Sequence, residues 1–322
     1  MIGVDSEDIL ELDGLEEHQR AFLRALAVID PDGEIKNKHA KQLAEEAFDV
    51  KIDQSGIKRK TLDPLEDAGY IEWTHVDGKA NLVRSTDKFE TEVLLPVLED
   101  FAERTGVSRQ VLRQSFDEIL DDLDSDNNHE KGLALETLAI KIGRMLGLNF
   151  VGWRERGKKT GGSEVDVVMD DIGKTFNRWQ IQCKNTQEQI ESKYVAREVG
   201  ISRMLQTNTI LMLVRGGASD DARQFATRVM AHENLSILFL DGNDLERLDE
   251  QPSHLLHALR GESRRVQNIK KLDRRDMIEE DEDQPIVTDE QQILDEYDGE
   301  IEAKESDIEE RSLDDFSDDS AS

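Results

Sequence analysis

The sequence contains little cysteine, few aromatic residues and no long apolar run. A single cysteine, Cys183, among 322 residues excludes a disulfide framework and cysteine-rich zinc sites, and it is typical of a reducing compartment. No window approaches the roughly 18 uncharged apolar residues of a membrane span. The acidic N-terminus lacks the basic and apolar segments of a signal peptide. We therefore expect a cytoplasmic protein without membrane contact.

Positive charge is also scarce, with 41 Lys and Arg against 72 Asp and Glu. Residues 276–322 hold 21 acidic and two basic residues, so they account for 19 of the 31 net negative charges. This segment has few core-forming residues and is predicted to be a disordered acidic tail. The remaining acidity fits either a halophilic protein with a carboxylate-coated surface or ordinary self-repulsion.

An acidic extension of residues 1–15 precedes a helical region. Apolar residues at three- and four-residue spacing predict helices, and β-rich runs beside an Asp-Gly turn signal predict a hairpin. The predicted elements are helices at 16–30, 37–48 and 57–69 and strands at 70–74 and 80–84. Three short helices followed by a hairpin form the outline of a winged helix.

Residues 16–88 resemble winged helix-turn-helix modules, including their usual ending, Leu65-Glu66-Asp67-Ala68-Gly69-Tyr70-Ile71. The resemblance implies that the third helix enters a DNA major groove while the hairpin touches the backbone. Lys58, Arg59 and Lys60 begin that helix, where phosphate contacts are favourable. The alternative is a module used only for protein contacts, with these three residues in a solvated turn.

Residues 89–128 contain amphipathic helical patterns and are interpreted as a helical connector used for packing or dimerisation. From residue 129 to about 260 the pattern becomes a helix, three strands and then alternating helices and strands. This order predicts an α/β domain in which a mixed sheet is flanked by helices. A basic segment at 261–275 separates this domain from the tail.

Residues 128–248 resemble the Mrr-type restriction endonuclease domain of the PD-(D/E)xK nuclease superfamily. The resemblance rests on the order and spacing of several segments: Glu136, Gly162-Ser163-Glu164-Val165-Asp166, Gln180-Ile181-Gln182-Cys183-Lys184, 210–214, 222–226 and 238–245. It implies a metal-dependent endonuclease that hydrolyses phosphodiester bonds of double-stranded DNA in a restriction system acting on foreign or modified DNA. Cutting both strands would favour a homodimer.

The same residues can be argued from their chemistry. A hard divalent cation, Mg²⁺ with Mn²⁺ as the alternative, polarises a phosphoryl oxygen and activates water. Asp166 supplies a carboxylate ligand, and Gln182 and Lys184 leave the same face of one strand because they are two residues apart. The amide can complete the metal shell, while the ammonium stabilises developing charge. The alternative for Asp166 and Lys184 is a structural ion pair.

Gln182 departs from the superfamily pattern, in which many members carry Asp or Glu. Mrr-like members often have Gln there, so the residue fits the subfamily but removes one negative charge. Glu136 is expected to compensate as a ligand, directly or through water. The alternatives are a solvated surface Glu136 and a satisfied strand amide at Gln182.

Arg154, Arg156, Lys158 and Lys159 are interpreted as a basic loop that meets DNA phosphates, or else as a solvated charged loop. The basic segment near the tail either contacts DNA or pairs with the tail. His254 and His257 are attributed to an amphipathic helix, and Cys183 to packing on the strand face opposite to Gln182 and Lys184.

Two further functions stay open at this point. One is a structure-specific repair nuclease, because the fold alone does not choose the substrate. The other is a DNA-binding regulator with an inactive nuclease domain, which the neutral Gln182 favours and an intact Asp166 and Lys184 oppose.

Overall fold

The computed structural model describes residues 12, 14–76, 80–156, 164–171, 177–248 and 251–271. The predicted Asp-Gly turn, most of the N-terminal extension and the acidic tail lie outside these residues. In the N-terminal part, the elements are α1 (Glu17–Ile29), β1 (Glu34–Lys36), α2 (Asn37–Phe48), a π-helical turn (Lys58–Leu62), α3 (Asp63–Asp67), β2 (Ile71–Thr74) and β3 (Leu82–Ser85).

The next part is helical, and it leads into the larger sheet. Its elements are α4 (Asp87–Phe89), a second π-helical turn (Glu90–Leu94), α5 (Leu95–Thr105), α6 (Arg109–Arg113), α7 (Phe116–Asp124) and α8 (Asn128–Met145). They are followed by β4 (Asn149–Arg156), β5 (Glu164–Asp171), β6 (Asn177–Lys184), α9 (Ser192–Leu205), β7 (Thr209–Val214), α10 (Asp220–His232), β8 (Ser236–Asp241), α11 (Gly242–Glu246) and α12 (His254–Lys270). No helix in the described ranges has the length and apolar character needed to cross a bilayer.

The N-terminal strands form an antiparallel sheet in the order β1-β3-β2. Sequence patterns do not predict β1, because its three residues contain one apolar side chain, Ile35, between two charged ones. The strand forms because Glu34, Ile35 and Lys36 pair with β3, and Ile35 is buried. Long-range pairing, not local preference, creates this element.

The third predicted helix begins as a π-helical turn. Pro64 explains why the Lys60 carbonyl accepts hydrogen bonds from outside this helix. In a regular α-helix residue 64 would donate to the carbonyl of Lys60, but proline has no N–H. The Lys60 carbonyl instead accepts from Gln19 Nε2 at 2.8 Å and from His18 Nε2 at 3.1 Å. These two hydrogen bonds connect the segment to α1.

The larger sheet has the order β4-β5-β6-β7-β8, with β4 to β6 antiparallel and β6 to β8 parallel. This is the predicted mixed sheet flanked by helices. Met169 and Gln180 lie on opposite faces, because Met169 is opposite Trp179 in the ladder. Helix α8 covers the Met169 face, where Gly143 meets the Met169 side chain. Helix α9 covers the Gln180 face, where Glu198 meets the Gln180 amide.

Helix α8 also contacts α1, the first helix of the described residues. Lys141 is 2% exposed, and its ammonium donates to the Val28 carbonyl at 2.6 Å near the end of α1. Burial, reinforced by nearby Arg144, lowers the pKa of Lys141 to about 7. Buried apolar side chains run continuously from α1 to α12, so helices of both parts share one core.

Two element boundaries differ from the sequence predictions. Arg154 and Arg156 lie on strand β4 and not in a loop, because β4 pairs with β5 as far as Arg156 opposite Glu164. From Leu245 onward the sequence favours one continuing helix, but the structure has two, α11 and α12, with Pro252 before the second. Buried Leu255, Leu256 and Leu259 confirm that His254 and His257 lie on an amphipathic helix.

Candidate active site

A fork between β5 and β6 defines the candidate site. The two strands pair from Asp171 opposite Asn177 to Val167 opposite Ile181, and the pairing ends there. Beyond that point β5 continues along β4, while β6 continues along β7 until Lys184 lies opposite Val214. The strands therefore diverge where Asp166, Gln182 and Lys184 stand.

Asp166 is held at the opening of this fork. It is 9% exposed, and its Oδ2 accepts from the Cys183 backbone N–H at 2.7 Å and from Gln182 Nε2 at 2.5 Å. The Cys183 N–H is available because β5 no longer supplies a ladder acceptor at this position. Both contacts fix the orientation of the carboxylate.

Gln182 is 3% exposed, and its amide orientation follows from its partner. Because an ionised carboxylate only accepts, the amide must turn its NH₂ group towards Asp166. Its Oε1 is then buried without a hydrogen-bond partner. A buried orphan acceptor costs about 1–3 kcal/mol, so the site holds an oxygen that suits a cation or a donor.

Lys184 lies at the end of β6 and is half-buried. Among the described residues no carboxylate lies within ion-pair distance of its ammonium. The predicted alternative, a structural ion pair between Asp166 and Lys184, is therefore absent from this part of the chain. The lysine sits two residues after Gln182 on the same strand face, so its positive charge is available beside the fork.

Glu136 on α8 is 8% exposed and bound to strand β4. Its Oε2 accepts from Trp153 Nε1 at 2.6 Å and from Arg154 Nε at 2.7 Å. Arg154 has a positive φ of 51°, and the register places it opposite Asp166. The guanidinium is therefore drawn back towards α8, and Glu136 is not a solvated surface residue.

A further buried carboxylate, Glu198 on α9, was not predicted from the sequence. It is 0% exposed, and its Oε2 accepts from Gln180 Nε2 at 2.7 Å, on the sheet face that carries Gln182 and Lys184. Burial raises the pKa of Glu198 to about 7, and Asp166 adds to the effect, while Arg197 and Lys184 oppose it. A polar residue in a helical pattern gives no sign of such burial.

Cys183 is half-buried and lies between the two functional positions of β6. Burial raises the pKa of its thiol, and the nearby Asp166 and Glu136 charges add to this effect. The thiol therefore stays protonated at neutral pH and is a poor nucleophile.

The predicted DNA-contacting residues are found at two places. Lys58, Arg59 and Lys60 are exposed on the first π-helical turn. Lys58 Nζ lies 4.9 Å from the centre of the Trp73 ring, and Lys60 pairs with Asp53 at 3.3 Å. Arg156 ends β4, whereas Lys158 and Lys159 lie outside the described residues.

The oxygen donors at the fork determine which cation fits it. Within the residues that the structure describes, no three His, Cys, Asp or Glu side chains form a metal-binding group. Asp166 instead meets an amide whose oxygen is unsatisfied, and this pair of hard oxygen donors fits a cation that also binds water and substrate phosphate.

The larger sheet thus carries a carboxylate, an amide and a lysine at the fork between β5 and β6. The Mrr catalytic family, described as restriction endonuclease, matches residues 128–248, which are 121 of the 322 residues. Residues 128–248 are therefore an Mrr-type restriction endonuclease domain, and nucleases of this superfamily typically use divalent metal ions. Comparison with curated proteins and with solved structures found no match.

Proposed function

We propose that this protein is a Mg²⁺-dependent endonuclease that cuts double-stranded DNA, with restriction of foreign or modified DNA as its role. The family match supports a nuclease acting on DNA. The observation that carries the metal-dependent reaction is the fork, where Asp166 and the unsatisfied Gln182 oxygen stand beside Lys184, which has no ion-pair partner among the described residues.

Asp166 and Gln182 would hold the cation. When bound, the cation supplies Lewis-acid polarisation of the phosphoryl oxygen and a lowered pKa of an attacking water. The Cys183 N–H keeps the Asp166 carboxylate in place. Lys184 would orient the water and stabilise the negative charge that develops as the water oxygen bonds to phosphorus and the sugar oxygen leaves.

Glu136 would support the cation through water, because its Oε2 already carries Trp153 and Arg154. Arg154, and Arg156 with Lys158 and Lys159, would contact phosphates beside the cut. The buried Glu136 carboxylate holds the Arg154 guanidinium on strand β4, whose last residue is Arg156.

The N-terminal elements would form a winged-helix module that locates duplex DNA. Its exposed cations on the first π-helical turn support this assignment, and Arg59 has no ion-pair partner within the described residues. We expect Arg59→Ala to weaken duplex binding about twofold to fivefold and to reduce the slope of log affinity against log salt by about one. Fluorescence anisotropy over a salt series measures both, with exposed Lys38→Ala on α2 as the control.

The reaction is tested by incubating the protein with methylated and unmethylated plasmid, with Mg²⁺ or EDTA and in low and high salt. Asp166→Ala and Lys184→Ala are the test variants. Asp170→Ala is a control on the same strand, because Asp170 holds Arg178 outside the fork. Circular dichroism checks that each variant is folded.

Cutting that needs Mg²⁺ and is lost in both test variants, but kept in the control, is the expected result. Cutting of methylated plasmid alone would support restriction of modified DNA, whereas cutting confined to branched or damaged DNA would support a repair nuclease. Folded wild-type protein that binds DNA and never cuts it would overturn the proposal in favour of a regulator.

A further inference from the structure

The fork offers little negative charge to a divalent cation. Gln182 is neutral, and Glu136 is already paired with the positive Arg154. Asp166 then supplies one negative charge at the fork to offset a doubly charged cation, and no group of three His, Cys, Asp or Glu side chains surrounds it among the described residues. Mg²⁺ in proteins is commonly held by one or two carboxylates, so a second negative charge nearby would strengthen binding.

Glu198 is a buried carboxylate on the sheet face that carries Gln182 and Lys184. It is completely buried on α9, and the Gln180 amide ties its Oε2 to the sheet face of Gln182 and Lys184. Among the described residues its other oxygen, Oε1, is buried without a hydrogen-bond partner, and its ion pair with Arg197 Nε is long, at 4.0 Å. An ionised carboxylate with an unsatisfied buried oxygen is costly to maintain unless a positive charge offsets it.

Two electrostatic couplings connect this carboxylate to the fork. The Lys184 ammonium favours the charged form of Glu198, and the Asp166 carboxylate disfavours it. Both charges therefore act on Glu198 through the protein interior, where screening by salt is weak. A cation held by Asp166 would add a second favourable charge within reach of Glu198.

We propose that Glu198 is the second carboxylate of the nuclease site: it is a positioning residue whose negative charge raises the affinity of the fork for a divalent cation, in place of the charge that Gln182 lacks. The inference rests on the proposed metal-dependent function. It assigns Glu198 no direct contact with the cation. Its effect passes through the low-dielectric interior between α9 and β6.

The test measures Mn²⁺ binding to the full-length protein without DNA, by isothermal titration calorimetry at fixed pH and salt. Glu198→Gln is nearly isosteric and can still accept from Gln180, so it removes the charge with little change in shape. We expect its Mn²⁺ affinity to fall about fivefold to tenfold, because the carboxylate charge would attract the cation through the protein interior. In cleavage assays, the Mg²⁺ concentration for half-maximal rate should rise while the saturated rate changes little.

Glu233→Gln is the matched control, because it removes the same charge from a residue that pairs with Arg203 on α9. Unchanged Mn²⁺ affinity in Glu198→Gln, with a changed melting temperature alone, would overturn the inference and leave Glu198 a packing residue. Asp166→Asn separates the two proposals. If Asp166→Asn also binds Mn²⁺ like the wild type, the proposed metal site itself fails.

Discussion

The two helices that cover the opposite faces of the larger sheet each bury a glutamate, but these glutamates have different surroundings. Glu136 on α8 is satisfied by an arginine and an indole N–H. Glu198 on α9 has one amide donor and one unsatisfied oxygen. The buried carboxylate on one face is thus held by two donors. On the other face, one oxygen of the buried carboxylate has no hydrogen-bond partner among the described residues.

The difference shows that a buried carboxylate is informative only together with its partners. A carboxylate paired with arginine anchors strand β4 to α8, so its loss should lower stability besides weakening any water-mediated support of the cation. An incompletely paired carboxylate near a lysine is ready to respond to a cation.

The largest expected effect is on the pH dependence of the protein's free energy of unfolding, through the titration of Glu198. Its pKa is about 7 in the folded protein against an ordinary 4.5, so the folded state binds the proton more tightly. Stability should therefore fall as pH rises from about 4.5 to about 7, by up to about 3 kcal/mol. Urea denaturation at pH 5 and pH 8 should show that Glu198→Gln loses this decline and becomes the more stable protein at pH 8.

Removing the carboxylate of Glu136 should lower the stability of the protein, whereas removing that of Glu198 should raise it at pH 8. Glu136→Ala leaves the Trp153 and Arg154 donors without their acceptor, and we expect a loss of about 2 kcal/mol at neutral pH. Urea denaturation at pH 7 measures it. A variant as stable as the wild type would show that the Glu136 contacts are not the anchor described here.

A smaller effect is expected at Lys141, which joins α8 to α1. Lys141→Met orphans the Val28 carbonyl but also removes a buried ammonium, so the two effects partly cancel. Because the pKa of Lys141 falls from 10.5 to about 7 on folding, wild-type stability should rise between these pH values. Denaturation at pH 7 and pH 9 should show an advantage of about 1 kcal/mol for the wild type at pH 9 and less at pH 7. A difference independent of pH would contradict this account.

The sequence was sufficient to predict the α/β order and the mixed sheet, because strands such as β7 are continuous apolar runs between turn signals. It also identified Asp166, Gln182 and Lys184 as candidates, since spacing of two on a strand fixes a common face. Their roles remain predictions. Strand β1 and the π-helical turn could not be predicted, because long-range pairing and a missing proline donor determine them.

The partners of the site residues were equally inaccessible from the sequence. That Glu136 would bind Arg154 depends on the positive φ of Arg154 and on the register between β4 and β5. The burial of Glu198 depends on which face of α9 meets β6. Local sequence patterns record neither of these long-range arrangements.

In the proposed reaction, the fork hydrolyses DNA with a cation held at Asp166. The most direct test is single-turnover cleavage of duplex DNA at saturating protein and Mg²⁺, comparing Asp166→Asn with Asp170→Asn on the same strand. We predict a rate loss of about a thousandfold or more for Asp166→Asn, since metal-assisted stabilisation supplies several kcal/mol. Asp170→Asn should cut at close to the wild-type rate. Equal rates for the two folded variants would contradict the account.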